Sequence, residues 1–296
     1  MKNPIFYRIV QLVGFIVGAR VLVTLLLTFA LYVSIFFLFN QEESLRQFAF
    51  DFRIHGIVFC TVLSILAGGI INQFYDREKD QLAKPFRSRV QSFLKQKYFL
   101  YAYLLLNVVS LGIAGLISWR VLVFFLIYQF MMWFYSHKLS KILIVNNFTF
   151  VALTLYPFFG MLVYYRTFSL KVFMMAAFLF IMLLLIDIIK DMLTKRVDFI
   201  FGYRTLPNFF GDQVSRNIVF FLLATAFGVS LVIAEWLGIR RILGWYFLGA
   251  LPLFVTAVFL LKDGKRKSKF IVLNIFRLWI FAGILAMLAD GIMMKY

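Results

Sequence analysis

Residues 172–191 read VFMMAAFLFIMLLLIDIIKD, an uncharged run that meets its first charges only at Asp187, Lys190 and Asp191. A hydrocarbon core about 30 Å thick is crossed by roughly 20 consecutive apolar residues in a helix. Inside a bilayer no water is available to the backbone, so such a segment satisfies its peptide groups only as a helix. The stretch therefore predicts a transmembrane helix over residues 170–190, with acidic residues at its end.

The remainder of the chain repeats this pattern. Hydrophobic residues make up 63% of the 296 residues and charged residues 15%, whereas soluble domains carry about 45–50% and about 25%. We expect an all-α, polytopic membrane helical bundle of about nine transmembrane helices, forming a single domain over residues 1–296. The predicted spans lie near 18–40, 55–75, 98–118, 120–136, 142–165, 170–190, 217–236, 242–261 and 270–290.

The first apolar stretch, from Ile9 to Phe39, is broken only by Arg20. It is longer than the roughly 7–15 residues of a signal-peptide core, so we interpret it as a mature span whose first turns lie in the membrane interface. Basic residues in the short loops set the orientation of a membrane protein. Placing the N-terminus in the cytoplasm puts 21 Lys and Arg residues inside, Lys2 among them, and eight outside. We therefore expect an integral protein of the cytoplasmic membrane with its N-terminus in and its C-terminus out.

The net charge of +18 does not indicate a nucleic-acid partner, because the basic residues sit in short segments between apolar runs. It fits the topology signal and contact with anionic membrane lipids. The single cysteine, Cys60, excludes a disulfide framework, and two histidines, His55 and His137, are too few to favour a zinc site. Any metal in this protein would be bound by oxygen atoms.

Five of the acidic residues lie at the cytoplasmic ends of the second and sixth predicted spans. Asp76 and Asp80 are spaced D-x-x-x-D, and so are Asp187 and Asp191, with Asp198 further on. On a helix this spacing places both carboxylates on one face, where they can share a cation. Such a pair can also be a solvated helix end bonded to lysine, but an acidic residue inside an apolar run is costly unless it faces a polar cavity. The two pairs together therefore predict a site.

Carboxylate clusters are typical of Mg²⁺, which completes its coordination shell with water and substrate phosphates. Cations near both pairs could hold the phosphate oxygens, and arginine among them offers bidentate contacts. A diphosphate joined to a long apolar tail would suit both the polar site and the membrane body. The nearby cations are Lys84, Arg87, Arg89, Lys190 and Arg204.

Three motifs surround these residues in order along the chain. Asn72 precedes Asp76 and Asp80, and Lys84-Pro85-Phe86-Arg87 follows them. Tyr135-Ser136-His137-Lys138-Leu139 comes next, with Asn147 further on. The third is Lys190-Asp191, then Asp198 and the run GYRTLP at 202–207, with Gly211. Together they resemble the UbiA superfamily of intramembrane prenyltransferases, whose elements are N-D-x-x-D-x-x-x-D with K-P-x-R, Y-S-x-x-L-K, and K-D with G-x-R-T-L-P-x-x-x-G.

The resemblance implies Mg²⁺-dependent transfer of a polyprenyl group from a prenyl diphosphate to a lipophilic acceptor, either an isoprenoid-glycerol phosphate or an aromatic quinone precursor. It implies that four aspartates are catalytic and, with Asn72, bind the metal: Asp76, Asp80, Asp191 and Asp198. The implied substrate-binding residues are Asn72, Lys84, Arg87, Tyr135, Ser136, Lys138, Asn147, Asp187, Lys190 and Arg204. Arg20 and Arg277 both fall within predicted spans, where each either contacts phosphate or extends toward the interface, and we include Arg20 among the substrate-binding candidates.

The chain also departs from the family pattern. Gln73 and Thr194 stand where the family usually has aspartate, and Ser140 stands where it usually has lysine. A noncatalytic lipid-binding relative is therefore an alternative, and a transporter that uses the acidic residues for ions is another. Two observations argue against transport: the acidic residues cluster at one face, and the two halves have no Gly- or Pro-broken spans at matching positions. A CDP-alcohol phosphotransferase is disfavoured because its D-G-x-x-A-R run is absent.

Overall fold

The computed structural model describes residues 4–39, 44–93 and 95–295. Lys2, which belongs to the predicted cytoplasmic set, lies outside them. No strand occurs in the described part of the chain. Its helices are α1 (Pro4–Gly18), α2 (Val21–Ser34, continued by the π-helical turn Ile35–Phe39), α3 (Leu45–Ala49), α4 (Phe52–Tyr75), α5 (Arg77–Ala83), α6 (Pro85–Gln91), α7 (Gln96–Ile117), α8 (Trp119–His137), α9 (Val145–Tyr165), α10 (Leu170–Ile200), α11 (Leu206–Phe209), α12 (Gly211–Leu237), α13 (Ile242–Lys262) and α14 (Arg266–Lys295).

Among these described helices, nine segments are long and apolar enough to cross a membrane. The prediction of an all-α polytopic bundle is thereby confirmed. The first span is Val21–Phe39, and the other eight are α4, α7, α8, α9, α10, α12, α13 and, over Arg266–Met294, α14.

Two predicted boundaries are wrong, each for a local reason. The sixth span was expected to end at 190, but α10 continues to Ile200, so Asp191 and Asp198 lie within the helix. No glycine or proline interrupts residues 190–200, so nothing in that segment ends the helix. Arg20 was expected inside the first span, but it lies between α1 and α2 with a φ of +55°. This left-handed conformation is unfavourable for a side-chain-bearing residue and breaks the helix there.

The chain divides into two compact units. Unit 1 comprises Met1–Tyr32 and Glu43–Ser140, and unit 2 comprises Val33–Glu42 and Lys141–Tyr296. In unit 1, α4 packs against α7 and α8, and α1 packs against α6. Gly69 of α4 allows the α1–α2 break to approach closely, because a Cβ there would lie 2.9 Å from the carbonyl oxygen of Ala19. The break that carries Arg20 is therefore held against α4.

Small polar groups join the helices of unit 1 inside its core. The Ser64 hydroxyl lies 3.2 Å from that of Ser110 on α7, and Gln129 of α8 donates to Ser64 at 3.1 Å. The buried thiol of Cys60 donates to the Ser110 carbonyl at 3.3 Å. Between membrane helices, where lipid is as apolar as the side chains, such bonds contribute to association by roughly 1 kcal/mol each.

In unit 2 the long helix α10 packs against α12 and α14, and α13 packs against both of these. The core between them is apolar and aromatic, with Phe178, Leu185 and Phe276 among its buried side chains. At the start of α13, Arg241 forms an ion pair with the buried Asp290 of α14 at 3.2 Å. This packing fixes the face of α10 that carries its aspartates.

Candidate active site

The first acidic set comprises Asn72, Asp76 and Asp80, and it lies where α4 gives way to α5. Asp76 ends α4 and begins α5, and its Oδ2 accepts a hydrogen bond of 2.9 Å from Nδ2 of Asn72, one turn earlier. Asp80 lies one turn further along and is 4% exposed. Its carboxylate accepts a bond of 2.9 Å from the ammonium group of Lys84. The i, i+4 spacing thus brings these groups together as the sequence predicted.

Three cations surround Asp80 within unit 1, and we call Arg20, Lys84 and Arg87 the cation trio. Arg87 of α6 donates to the carbonyl oxygen of Val17 at 2.8 Å, which attaches α6 to the end of α1. Desolvation lowers the pKa of Lys84, Asp80 raises it, and the nearby charges of Arg20 and Arg87 lower it further. Desolvation and Arg20 likewise lower the pKa of Arg87. Three cations that repel one another around a single buried carboxylate form a surface suited to a multivalent anion.

Gln73 points away from this set. Its Oε1 packs against Gly18 of α1, where an added Cβ would lie 2.4 Å away. That oxygen is buried, and it has no hydrogen-bond donor among the described residues. Because the side chain is neutral, it leaves the positive balance of the cation trio unchanged.

The second acidic set comprises Asp187, Asp191 and Asp198 on one face of α10. All three are buried, with exposures of 2%, 4% and 1%. Asn147, in the first turn of α9, donates from one amide nitrogen to Oδ2 of Asp187 at 2.7 Å and to Oδ2 of Asp191 at 3.0 Å. Lys190 contacts Oδ1 of Asp187 and lies 3.6 Å from Oδ1 of Asp191. Asp187 and Asp191 therefore share one ammonium group and one amide.

Thr194 stands where the family pattern has an aspartate, but its side chain is a neutral hydrogen-bond donor. Its hydroxyl lies 2.6 Å from Oδ2 of Asp198 and 3.1 Å from the carbonyl oxygen of Lys190. A carboxylate at 194 would repel Asp198 one turn away, whereas the hydroxyl can donate to it. The sequence shows only that a carboxylate is missing at position 194. The hydrogen bond from Thr194 to Asp198 is visible only in the structure.

The GYRTLP run forms the connection from α10 to α11. Gly202 has a φ of +71°, which a side-chain-bearing residue rarely adopts. The backbone nitrogen of Arg204 donates to the carbonyl oxygen of Lys141 at 3.2 Å, and the Lys141 ammonium lies 5.4 Å from the centre of the Tyr203 ring. The Arg204 side chain itself is exposed, so it can meet a ligand.

At the end of α8, Tyr135 is half-buried and Lys138 is exposed. Ser136 is buried, and its hydroxyl donates to the carbonyl oxygen of Met132 in its own helix at 3.1 Å. The structure adds a contact that the sequence did not predict, because His137 lies against Tyr75, the last residue of α4. The α8 motif is thereby brought beside the first acidic set within unit 1.

The donor chemistry of both sets fits Mg²⁺, although in the described ranges no three His, Cys, Asp or Glu side chains converge on one point. Mg²⁺ is usually held through one or two carboxylates and takes its other ligands from water and substrate phosphates. Asp187 and Asp191 provide two buried carboxylates for one ammonium, a negative balance that a dication would correct. In unit 1 the cation trio outnumbers the Asp80 carboxylate, and this excess of positive charge suits phosphate.

Comparison with known proteins gives one consistent result. The model of the UbiA prenyltransferase family matches residues 45–281. The digeranylgeranylglyceryl phosphate synthase of Thermococcus gammatolerans is 28% identical over 243 residues, which cover 78% of this chain and 85% of that protein. Among solved structures, one concerned with digeranylgeranylglyceryl phosphate synthase has a TM-score of 0.71 at 20% identity and covers 95% of this chain and 99% of its own. A UbiA homologue from Archaeoglobus fulgidus bound to GPP and Mg²⁺ has a TM-score of 0.64 at 14% identity, with coverages of 93% and 99%.

Proposed function

Because the chain belongs to the UbiA prenyltransferase family, we propose that it transfers a prenyl group from a prenyl diphosphate to a lipophilic acceptor in the membrane, with Mg²⁺ as its cofactor. The family resemblance inferred from the three motifs is confirmed. The observation that carries the proposal is the pair of buried carboxylates, Asp187 and Asp191, held by Asn147 and Lys190 at the end of an apolar helix. Burying two carboxylates with one ammonium is costly without a further cation, so a ligand-binding role accounts for the pair.

The acceptor that we propose is an isoprenoid-glycerol phosphate. The curated relative from Thermococcus gammatolerans is named for a product in which glyceryl phosphate carries two geranylgeranyl groups. A family structure from Archaeoglobus fulgidus holds GPP with Mg²⁺. An anionic acceptor also agrees with the excess of basic residues in this chain, whose net charge is +18. An aromatic quinone precursor is the other acceptor class to be tested.

In this proposal the cationic residues bind phosphate and the acidic residues bind the metal. The cation trio and Arg204 hold phosphate oxygens of the donor and draw charge from the leaving diphosphate. Mg²⁺ would be held by the acidic sets and would supply Lewis-acid stabilisation of the diphosphate charge; its proposed ligands are Asn72, Asp76, Asp80, Asp191 and Asp198. Asp187 positions Lys190 and shares Asn147 with Asp191. Tyr135 and Lys138 lie at the end of α8, close in sequence to His137, which contacts Tyr75, and we propose that an acceptor headgroup meets them there.

Breaking the allylic C1–O bond gives C1 carbocation character, and the acceptor oxygen then bonds to C1. Exclusion of water by the apolar helices protects that centre from hydrolysis. Aromatic side chains near it would add about 0.5–2 kcal/mol of stabilisation each. The whole chain, 1–296, is proposed to be one prenyltransferase domain, because the family match at residues 45–281 includes parts of both units.

We propose the orientation with the N-terminus in the cytoplasm and the C-terminus outside, in the cytoplasmic membrane. The distribution of 21 basic residues on one side and eight on the other supports it. In this orientation the segments that carry both acidic sets face the cytoplasm, where soluble diphosphates and Mg²⁺ are available.

The experiment that tests the function uses purified protein with labelled prenyl diphosphates of several chain lengths. Each donor is offered with an isoprenoid-glycerol phosphate, with an aromatic acceptor, or with no acceptor, in the presence and absence of Mg²⁺. We expect Mg²⁺-dependent alkylation of the glycerol phosphate. Binding of prenyl lipids without diphosphate release would instead indicate the noncatalytic relative, and ion flux without transfer would indicate a transporter.

A further inference from the structure

His137 is the last residue of α8, and two aromatic rings hold it in place. Its ring stacks on Trp133, one turn earlier, with centroids 5.4 Å apart and planes 3° from parallel. Tyr75 makes an edge contact with it, at 5.3 Å and 62°. Tyr75 is the last residue of α4 and immediately precedes Asp76. The imidazole is therefore fixed beside the first acidic set, at a position that the Y-S-x-x-L-K motif leaves variable.

The ring nitrogens of His137 are open to a ligand. The side chain is exposed, and both of its aromatic contacts involve the ring face or edge. Within the described ranges no protein group forms a hydrogen bond with either nitrogen. Stacking limits the rotation of the ring, so a proton acceptor at this position would be held in one orientation.

We propose that His137 is the general base that takes the proton from the acceptor hydroxyl during prenyl transfer. This rests on the proposed function and names the residue that completes it. The C1–O bond of the donor breaks and its electron pair leaves with the diphosphate, while the acceptor oxygen forms a new bond to C1. The hydroxyl proton passes to a ring nitrogen of His137 and is later released to water.

The neighbouring groups are less suited to this task. Asp80 is bonded to Lys84, and Asp76 accepts from Asn72. A phenol such as Tyr75 has an ordinary pKa of about 10, whereas that of imidazole is about 6.5. A base works best when its pKa is close to the working pH, because it is then both deprotonated and able to hold the proton.

The charges around His137 come from three helices. On α8 itself the nearest is Lys138, the adjacent residue. On the α4–α5 side are Tyr75 and, next to it in the chain, Asp76. On α7, Tyr103 interacts electrostatically with Tyr75. The imidazole therefore has one cation and one carboxylate among the residues beside it.

The chain offers a matched control, because His55 is its only other histidine. His55 lies near the start of α4, about 30 Å from Tyr75 along the helix axis at 1.5 Å per residue. Its nitrogens lie 3.1 Å from the Tyr32 hydroxyl and 3.2 Å from the Ala49 carbonyl oxygen. We would compare H137Q, H137F and H55Q with the native protein. H137F keeps an aromatic ring against Trp133 but cannot take a proton.

The measurement is the single-turnover rate of prenyl transfer from geranylgeranyl diphosphate to an isoprenoid-glycerol phosphate, between about pH 5 and about pH 9. The native rate should fall on the acid side of this range, because a protonated imidazole cannot take the proton. H137Q and H137F should be slower by about 10²–10⁴-fold, should lose that acid limb, and should bind the diphosphate as before. H55Q should keep the native rate and profile.

Two results would overturn the proposal while leaving the proposed function in place. One is a native rate and acid limb in H137Q, and the other is a weaker affinity for the acceptor with an unchanged saturated rate and pH profile. Equal loss in H137Q and H55Q would also overturn it. If the native protein released no diphosphate at all, the proposed function would itself fail, and this is a separate outcome.

Discussion

Removing the Asn147 amide should weaken unit 2 and disturb its acidic set. That amide nitrogen donates to Asp187 at 2.7 Å and to Asp191 at 3.0 Å, and Asn147 itself is 1% exposed. In N147A both carboxylates lose the hydrogen-bond donor that Asn147 supplies inside the protein. The two negative charges then share only Lys190.

The size of the effect follows from these two bonds. A hydrogen bond to a charged group contributes about 1.5–3 kcal/mol, so two lost bonds correspond to about 3–6 kcal/mol. We expect a value near the lower limit, because Lys190 still faces the pair and its side chain is 42% exposed, which gives water a path to the carboxylates. At about 2 °C per kcal/mol for a chain of this size, Tm should fall by about 6 °C.

Thermal unfolding in detergent, followed by tryptophan fluorescence, measures this change. Three of the five tryptophans belong to unit 2: Trp236, Trp245 and Trp279. The matched control is N274A, which removes a single amide bond of 3.0 Å from Asn274 to an exposed backbone carbonyl of its own helix. It should lower Tm by no more than about 2 °C, since exposed hydrogen bonds contribute about 1 kcal/mol or less.

N147D separates two roles for the same residue. If Asn147 acts as a donor, the isosteric aspartate adds a third carboxylate and should be at least as destabilising as alanine. If its Oδ1 instead serves as a metal ligand, aspartate should preserve or strengthen Mg²⁺ binding. A variant N147D with native Tm and tighter Mg²⁺ binding would refute the reasoning from the two donated bonds.

Three further predictions concern orientation, departures from the family pattern and pH. Cysteines placed at Lys84 and Lys195 should be labelled from the same side of the membrane by an impermeant reagent, while the buried native Cys60 stays unlabelled; labelling from opposite sides would contradict the orientation. Restoring aspartate at Gln73 and Thr194 should change the Mg²⁺ requirement or rate of pyrophosphate release only modestly; a silent native protein with an active restored variant would indicate a decayed site. Desolvation lowers the pKa of Lys84, so its ammonium group should lose its proton below the ordinary lysine pKa of about 10.4. The KM for diphosphate should therefore rise with pH in that range, and K84R should remove the rise. An identical pH profile in K84R would exclude Lys84 as its source.

The spans and the acidic pairs were predictable because they depend on local pattern. An apolar run such as 172–186 signals a helix by its length alone, and the D-x-x-x-D spacing brings Asp76 and Asp80 to one face. The pairing of Asn72 with Asp76 follows from the same helical geometry. These features need no knowledge of which helices pack together.

The features that the sequence did not reveal depend on tertiary contacts or on backbone strain. Arg20 has a left-handed conformation at the α1–α2 break, which packs against Gly69, and the hydrophobic pattern of the sequence does not indicate it. His137 reaches Tyr75 across a separation of 62 residues, so only the packing of α8 on α4 makes the contact visible. Thr194 was interpreted as a lost ligand because its bond to Asp198 depends on side-chain orientation. Roles for these residues therefore had to come from the structure.

Pyrophosphate release by the native protein, D76A and D191A, each with saturating Mg²⁺ and with excess EDTA, tests the central claim most directly. The donor is geranylgeranyl diphosphate and the acceptor an isoprenoid-glycerol phosphate. We predict release by the native protein with Mg²⁺ only, and loss of release in both variants while they remain folded, because each substitution leaves diphosphate charge facing too few cations. Native-level release in EDTA, or in either variant, would contradict a Mg²⁺-dependent prenyl transfer that uses both acidic sets.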